Sequence, residues 1–371
     1  MDSATWPIIP GTVRHPRWRI LVGGKPLSGC ESVEVHATGH RKASTVSARF
    51  SLGADPSLLA TWADAQPPVC LEVQAAFLSD GQSEGQAAWQ SAFVGDVSDI
   101  HLDLPNGSID VTGRDLAGRL IDGRTRETFA NQSSSEIAKT IAGRFGLTAD
   151  VDATTTRAGS YYQLEHDKLV NDSFSKTTTY WDLLSYLAKH ENFDLWVDGK
   201  TLHFKKAVDI ATVQPVPLVW SPASDTVAYP SVPVADIQLR RSCTLGKGVK
   251  VIVKTWNSKQ KHSSEISYPA SAAKDAQEYL YVRPGWSPER ALQYAQSEYS
   301  DILRHERAVD ITMPGELSLT ARSIVSLAGT GTSFYTRYFV DELSREFSLD
   351  GGFVQHVVLK NHTIQSDADV S

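Results

Sequence analysis

Histidine pairs are the first side chains in this 371-residue sequence whose spacing suits chemistry. His36 and His40 are four residues apart, which places two imidazoles on one helix face in His-Glu-x-x-His zinc sites. Here the segment around Gly39 is typical of strand and turn, and no glutamate follows His36. A metal site is therefore not predicted, and both histidines are interpreted as facing solvent.

Two arrangements of carboxylates also resemble catalytic groups. His101 lies between Asp99 and Asp103, but the polar face of a strand produces the same pattern. Asp150 and Asp152 are candidates for the carboxylate pair of a glycoside hydrolase. With 43 Asp and Glu residues in the chain, the sequence does not select one pair, and the loop context of these two favours solvation.

Short matches to motifs for covalent catalysis and for phosphate binding do not add up to a site. Gly81-Gln82-Ser83-Glu84-Gly85 has the Gly-x-Ser-x-Gly spacing, but no nucleophile elbow is predicted, which argues against an α/β-hydrolase. Ser173 and Lys176 match Ser-x-x-Lys without its companion motifs, and Gly246-Lys247-Gly248 lacks the rest of a Walker A loop. The sequence therefore predicts no catalytic, cofactor-binding or metal-binding residues, no cofactor and no enzymatic activity.

Composition resembles that of an ordinary globular protein. Hydrophobic residues make up 41% and charged residues 21% of the chain, which provides apolar material for packed cores. The formal net charge of -7 argues against a dedicated duplex-DNA binder, which needs a basic surface. Three scattered cysteines, Cys30, Cys70 and Cys243, form no disulfide framework and suit a reducing cytoplasm. We expect no signal peptide and no membrane-spanning helix.

The first third of the chain is predicted to be β-structure. Asn106-Gly107 between two runs of alternating polarity indicates a tight hairpin, and Asp55 is placed to cap one short helix. Strands are expected at residues 18–22, 32–36, 45–52, 69–78, 93–104 and 108–111.

The middle of the chain is predicted to contain two helices followed by a hairpin. Ser133 is placed to begin the first helix, and Thr179 with Asp182 forms the capping box of the second. The helices are expected at residues 133–146 and 179–191, the hairpin strands at 193–197 and 201–204, and a surface loop at 150–160.

The last third returns to β-structure after a proline-rich connector at residues 213–233. Ser287 and Pro288 begin the strongest helix in the sequence, because serine suits a helix cap and proline its first turn. A lysine-rich segment at residues 259–274 is interpreted as a loop. Strands are expected at residues 236–244, 249–256, 308–313, 323–327, 335–343 and 353–359.

Two segments in the β regions are similar to each other. Phe93-Val94-Gly95-Asp96-Val97-Ser98 and Phe339-Val340-Asp341-Glu342-Leu343-Ser344 share a pattern, and each leads into a hairpin turn. Duplication of a β domain explains the similarity, and chance is the alternative because β-hairpins share composition. The fold class we expect is α+β and β-rich. Two β-barrel-like domains, at residues 1–120 and 213–371, flank a small α+β domain at residues 121–212.

Tryptophan and tyrosine are abundant, with nine and twelve residues, and several tryptophans lie near turns or connectors. Aromatic rings with a polar tip are enriched at protein interfaces, where they can be buried. Together with the incomplete catalytic motifs, this abundance favours a protein that assembles with other proteins.

Five short strings are the most distinctive features of the sequence. They are Phe93-Val94-Gly95-Asp96-Val97, Ile109-Asp110-Val111-Thr112-Gly113-Arg114-Asp115-Leu116, Ser135-Glu136-Ile137-Ala138, Thr179-Tyr180-Trp181-Asp182-Leu183-Leu184 and Phe193-Asp194-Leu195-Trp196-Val197-Asp198-Gly199-Lys200. In this order they resemble the baseplate hub proteins of contractile-tailed bacteriophages, the Mu-type tail hub of the late-control tail protein family. The resemblance covers residues 15–362 and depends on the order of the strings.

The resemblance implies a structural baseplate hub that forms a homotrimer. Two β-barrel-like domains from each chain would form a pseudo-six-fold ring, which adapts the six-fold tail tube to a three-fold membrane-piercing spike. An axial channel would let DNA pass, which the acidic composition fits, and Gly113-Arg114-Asp115 would be a structural corner. The implied partners are the chain itself, the central spike protein, tail tube or tube-initiator proteins and other baseplate proteins, without specific nucleic-acid binding or stable membrane insertion. The implied location is the baseplate of a virion tail, after synthesis in the host bacterial cytoplasm.

A tail protein that binds or hydrolyses the cell wall is the alternative. Hydrolysis predicts a carboxylate or metal-ligand constellation, and the sequence provides none. Binding has more support, because the helix-helix-hairpin unit distantly resembles wall-binding folds of the LysM type. Tyr161, Tyr162, Trp181 and Trp196 are candidates to stack on sugar rings, and the other interpretation of these rings is that they pack the core of their own domain.

Overall fold

The fold is described from a computed structural model. The described residues are 15–361 without a set of short gaps, which are residues 40–41, 56, 126, 128, 130, 156–159, 162–168, 171–178, 209–211, 224–233, 258–261, 287 and 304. Strands dominate this part of the chain, and the β-rich class expected from the sequence is confirmed.

The elements follow in chain order. The strands are β1 His15–Val22, β2 Lys25–Leu27, β3 Cys30–Thr38, β4 Thr45–Ser51, β5 Cys70–Leu78, β6 Gln90–Asp103, β7 Ser108–Asp115, β8 Thr148–Val151, β9 Ser160–Tyr161, β10 Leu169–Val170, β11 Phe193–Asp198, β12 Thr201–Lys206, β13 Val216–Val219, β14 Asp236–Arg241, β15 Val249–Asn257, β16 His262–Tyr268, β17 Gln277–Val282, β18 Arg307–Pro314, β19 Ile324–Ala328, β20 Arg337–Ser348 and β21 Gly352–Lys360. The helices are α1 Ser57–Ala63, α2 Ala117–Asp122, α3 Ser134–Arg144, α4 Tyr180–Glu191 and α5 Pro288–Leu303.

Six strands near the N-terminus form an antiparallel sheet that we call the first repeat. Its order is β3-β4-β7-β6-β5-β1. Strand alternation places Val33, Val35 and Ile109 on one face. They are buried there together with the ring of Phe50 from β4 and the ring of Trp62 from α1. The predicted hairpin between β6 and β7 is confirmed, and its turn includes Asn106-Gly107.

Six strands nearer the C-terminus, called the second repeat, follow the same order. They are arranged β14-β18-β21-β20-β19-β13. When strands are numbered by their place within each repeat, both sheets read 2-3-6-5-4-1. One pairing changes direction, because β13 is parallel to β19 whereas β1 is antiparallel to β5. A shared order of six strands is strong evidence that the two repeats have the same build.

A side-chain clamp at the end of the sixth strand aligns the repeats residue by residue. In the first repeat, the Ser44 amide donates to Asp115 Oδ2 at 2.7 Å, and the Asp115 amide donates to the Ser44 carbonyl at 2.9 Å. In the second repeat, the Arg307 amide donates to Asn361 Oδ1 at 2.9 Å, and the Asn361 amide donates to the Arg307 carbonyl at 3.3 Å. Asp115 therefore corresponds to Asn361, and Ser44 to Arg307.

A bulge in the fifth strand gives the same alignment. The register shifts after Val97 in β6 and after Val340 in β20. Each valine amide donates to the carbonyl of the residue just before the fourth strand. This residue is Val69 in the first repeat, at 2.9 Å, and Ser323 in the second, at 3.2 Å. Val97 therefore corresponds to Val340. The similar strings found in the sequence lie on these equivalent strands, but they pair Phe93 with Phe339 and so are three residues out of structural register.

The middle unit packs helices against a three-stranded sheet of order β11-β12-β8. Thr179 and Asp182 form the predicted capping box of α4, and Ser133 with Glu136 forms a second box at the start of α3. Asn192 ends α4 in the left-handed conformation, with φ of 56°. Both predicted helices and the hairpin are confirmed. The predicted loop at 150–160 was wrong at its start, because β8 runs parallel to β12 there.

A compact insertion lies between β14 and β18 of the second repeat. It consists of a sheet of order β16-β15-β17 with α5 packed on one face. The helix expected from Pro288 is confirmed. The loop expected at residues 259–274 was wrong, because β16 lies within it and pairs with β15. The polar flanks obscured an alternation in which Ile266 and Tyr268 pack against the core under α5.

Two ion pairs connect the insertion and the second repeat to the middle unit. Lys189 of α4 contacts Glu298 of α5, whose carboxylate also accepts a hydrogen bond from the Tyr281 hydroxyl at 3.1 Å. Burial alone raises the pKa of Glu298, but hydrogen bonds from Lys189 and its tyrosine neighbours hold the pKa below its usual value. On the other side, Arg322 of the second repeat donates to Asp194 at 2.5 Å. These contacts hold the insertion and the second repeat against the middle unit.

Asp115 predicts a pH dependence of stability. Burial raises its pKa from 3.8 to about 6, so the charged form destabilises the fold. Stability from this group is complete below pH 3.8 and is lost as the pH rises through 6. Asp115→Asn cannot ionise, so its cost in unfolding free energy should be smaller at pH 7.5 than at pH 4.5 by about 2 kcal/mol. Urea unfolding of both proteins at the two pH values measures this, and an equal cost at both would contradict it.

Candidate assembly site: an internal sheet joint and two free edges

The two repeats are joined edge to edge within the chain. β20 pairs antiparallel with β3 through seven residue pairs, from Glu342 opposite Thr38 to Ser348 opposite Ser32. The joint creates one continuous strand order, β14-β18-β21-β20-β3-β4-β7-β6, to which each repeat contributes four strands. A sheet edge of one repeat is thus a docking surface for the other.

Aromatic packing strengthens this joint. Phe347 and Phe353, at the tip of the β20–β21 hairpin, belong to the core of the first repeat and stack on each other with centroids 4.1 Å apart. Phe347 lies 6.4 Å from the ring of Trp18, and Phe353 lies 5.9 Å from the ring of Phe77. The hairpin of the second repeat therefore completes the hydrophobic core of the first.

Polar contacts fix the register of the joint. His36 Nδ1 lies 2.8 Å from the Ser344 hydroxyl, which is directly opposite, and His36 Nε2 lies 4.0 Å from Glu342, one step along the diagonal. On the buried face, Arg345 donates to the Leu319 carbonyl at 2.6 Å. Burial lowers the pKa of Arg345 to about 10. A one-residue slip would carry this guanidinium to the solvent face, so the pairing is specific.

Two strand edges at the ends of the eight-strand order have no strand partner in the described part of the chain. β14 pairs with β18 on one side, and on its other side Leu239 is 42% exposed. Pairing of β6 with β5 ends at Asp96, so residues 99–103 pair with β7 alone. These edges are the counterparts of β3 and of the second half of β20, which meet in the internal joint. Sequence analysis missed these edges, although an exposed leucine, Leu239, between Gln238 and Arg240 is a signal.

The eight strands present a polar face opposite to their cores. Arg49 and Asp110 form a bidentate pair there, at 2.8 and 3.0 Å, and this pairing lowers the pKa of Asp110. Alternation with the buried positions places carboxylates from all eight strands except β4 and β21 on this face, together with fewer cations. The carboxylates are Glu34, Asp99, Asp103, Asp110, Asp236, Asp310, Glu342 and Glu346, and the cations are Arg49, Arg114, Arg240 and Lys360.

The histidines singled out in the sequence take part in strand pairing. His36 lies in the internal joint as described, and His40 lies outside the described residues. His101 is opposite Asp110 in the β6–β7 hairpin, between Asp99 and Asp103 on the polar face. The pKa of Asp103 is lowered by hydrogen bonds from Asn106 in the turn. The structure therefore places these groups on paired strands of the sheet.

The proposed carboxylate pair is held by Lys205 and His203. Asp150 accepts hydrogen bonds from Lys205 and His203, both at 2.8 Å, and Asp152 contacts Lys205 at 2.9 Å. These bonds lower the pKa of both carboxyl groups. A general acid needs a raised pKa near neutral pH, so this pair lacks the asymmetry that glycoside hydrolysis requires. Ser173 and Lys176 lie outside the described residues.

The aromatic candidates for sugar stacking are covered where they are described. Trp196 stacks on His203 with centroids 4.5 Å apart, and the Arg322 guanidinium lies 4.1 Å from its ring. Trp181 is 6% exposed in the core of the middle unit. The side chain of Tyr161 and all of Tyr162 lie outside the described residues. Neither tryptophan therefore offers a free ring face.

Within the described ranges, no group of three or more His, Cys, Asp or Glu side chains is arranged to hold a metal ion. None of the helices found there has both the length and the apolar character needed to span a membrane. The Arg114 guanidinium, in the Gly113-Arg114-Asp115 string, donates to Asp122 at 2.6 and 3.2 Å.

Solved structures with similar folds come from phage-like tails. The tail protein from Neisseria meningitidis MC58 superposes with a TM-score of 0.66 at 15% identity, over 94% of this chain and 98% of that one. The 43 kDa tail protein of prophage MuSo2 from Shewanella oneidensis gives 0.63 at 16% identity, over 93% and 98%. This chain has the fold of phage tail proteins. The resemblance found in the sequence is confirmed at the level of fold.

A third structure extends the comparison to secretion machinery. A type VI secretion system component from E. coli, described as similar to the bacteriophage T4 tail proteins gp27 and gp5, gives a TM-score of 0.51 at 10% identity, over 93% of this chain and 77% of that one. No family model and no curated protein matches the sequence.

The aromatic joint predicts a large and local effect on stability. Phe347→Ala removes a fully buried ring that connects both repeats, and it should lower the unfolding free energy by about 3–5 kcal/mol. Leu349→Ala is a matched control two residues away, because that side chain is 74% exposed. Its effect should stay within about 0.5 kcal/mol. Denaturant unfolding measures both, and equal effects would show that the ring does not connect the repeats.

Proposed function

We propose that this chain is the structural hub of a contractile-tail baseplate in a phage or phage-like particle. Three copies close into a pseudo-six-fold ring that adapts a six-fold tail tube to a three-fold spike. Residues 1–120 and 213–371 form the two β-barrel-like hub domains, and residues 121–212 form the middle domain between them. The partners are further copies of the chain, the central spike protein, tail tube or tube-initiator proteins and other baseplate proteins.

The duplicated sheet order is the observation that carries the proposal. Six similar positions around one axis require two similar units in each of three chains, and the two repeats share their strand order, bulge and clamp. The joint between β3 and β20 supplies a way to place such units side by side. The fold shared with tail proteins and with a type VI secretion component supports a place in a tail-like machine.

The polar face of the eight-strand sheet is assigned to the channel. Its carboxylates outnumber its cations, so a ring lined by this face repels the phosphate backbone of DNA rather than binding it. The net charge of -7 for the whole chain has the same sign. DNA would therefore pass through the ring without being retained. The protein acts through assembly and not through catalysis.

Wall binding is not proposed as a second function. It would need exposed rings in the middle unit, and Trp181 and Trp196 are packed against their own fold. A stacking platform for sugars requires an accessible aromatic face.

The mass of the purified chain tests the proposal. Native mass spectrometry should give a species near three times 40.6 kDa. Negative-stain images of that species should contain rings with a central hole, because three copies place six repeats around an axis. A chain that stays monomeric at micromolar concentration, or that assembles with another copy number, would contradict the proposed hub.

A further inference from the structure

We infer that neighbouring copies join by strand addition, with β14 of one copy pairing antiparallel to residues 99–103 of β6 in the next. The inference rests on the proposed ring and identifies the surfaces that close it. The occupant of each free edge is a second copy of this chain, because the joint between β3 and β20 already pairs the two equivalent edges within one chain.

The place of β14 follows from its pairing with the third strand of its repeat. Val35 of β3 is opposite Val46, and Leu239 of β14 is opposite Val309. Val46 and Val309 each lie two residues after the residue whose amide donates to the clamp side chain, which is Ser44 in the first repeat and Arg307 in the second. Leu239 therefore corresponds to Val35, and Arg240 corresponds to the residue after Val35.

The place of the receiving edge follows from the bulges. Counted from the bulge, His101 of β6 and Ser344 of β20 are both the third residue of the free segment. Within the chain, Ser344 is opposite His36. Arg240 of one copy is therefore opposite His101 of the next copy.

Charge complementarity supports this register. Arg240 of β14 would face a strand on which Asp99 and Asp103 flank the opposite residue on the same polar face. Diagonal neighbours in an antiparallel pair are within reach of long side chains, so both carboxylates can contact the guanidinium. The internal joint provides the precedent, because His36 contacts Glu342 across the same diagonal at 4.0 Å.

The apolar face fits the same register. Leu239, which is 42% exposed in the single chain, would lie opposite Leu102, next to Ile100. Pairing would bury this leucine and satisfy the free amides and carbonyls of both edges. A long apolar side chain on an unpaired edge is otherwise a liability that proteins avoid.

The two edges are not paired with each other within the described chain. β14 and β6 are the first and last strands of the eight-strand order, seven spacings of about 4.8 Å apart along the sheet. A covalent product larger than one chain therefore reports a contact between different copies.

Disulfide trapping tests the register. Directly opposite residues in an antiparallel pair have Cα atoms about 4.5–5.5 Å apart, which suits a disulfide. The test protein carries Arg240→Cys and His101→Cys, with Cys243→Ser to remove the exposed native thiol. After mild oxidation, non-reducing electrophoresis should show covalent trimers. A control with Asp236→Cys in place of Arg240→Cys moves the thiol four residues along the strand and should give none.

Native mass spectrometry of the same proteins separates this inference from the proposed function. A trimer that forms the covalent product at position 240 and not at position 236 supports strand addition in this register. A trimer without any covalent product overturns strand addition and leaves the ring. Equal trapping at both positions overturns the register. A monomer overturns strand addition together with the ring.

Charge reversal is an independent test of the same contact. Arg240→Glu should raise the dissociation constant of the trimer at least tenfold, because it places a carboxylate between Asp99 and Asp103. Adding Asp99→Arg and Asp103→Arg should restore the affinity. Lys25→Glu, on exposed β2 at the far end of the sheet, is the matched control and should leave assembly unchanged. Mass photometry over a dilution series measures each variant. An unchanged dissociation constant for Arg240→Glu would overturn the contact.

Discussion

Every strand edge exposes backbone amides and carbonyls that need partners, and this requirement organises the molecule. β3 is an edge strand of the first repeat, and β20 of the second repeat changes register at its bulge. The amides and carbonyls of these two edges form hydrogen bonds with each other. Without that ladder, Phe347 and Phe353 would lose the core into which they pack, and Arg345 would lose its buried position. Hydrogen bonding along one edge thus decides where the second repeat lies relative to the first.

The same edge chemistry relates the internal joint to the proposed ring. Each repeat has two strand edges of this kind, and the chain pairs one edge of the first repeat with one edge of the second. In the proposed ring, β14 and the end of β6 would pair with neighbouring copies. The middle unit also contacts the second repeat, for example through Arg322 and Asp194, which hold the second repeat against β11.

Local structure could be predicted from the sequence because its signals are local. The capping box at Thr179 and the turn at Asn106-Gly107 specify their elements within a few residues. Elements without such signals were missed. β8 has few apolar residues and gains its place by pairing with β12, fifty residues further along the chain, while β16 was obscured by its polar flanks.

The candidate site was harder to predict because it is built from distant segments. β3 and β20 are separated by about three hundred residues. Neither strand contains a sequence pattern that indicates with which strand it pairs. The similar strings at Phe93 and Phe339 suggested duplication, yet the equivalence that the structure supports is set by Val97 and Val340. The repeats share backbone geometry more than they share side chains. The alternating carboxylates of the polar face are also typical of any solvent-facing strand.

The connection between the second and third strands differs most between the repeats. In the first repeat a short loop joins β3 to β4, whereas in the second repeat the same connection holds β15, β16, β17 and α5. Units encoded in one chain can diverge independently, which identical subunits cannot do. Around the proposed ring, this connection would be a short loop at three positions and a folded insertion at the three positions between them. A wall that looks six-fold to one neighbour could then offer a three-fold pattern of projections to another.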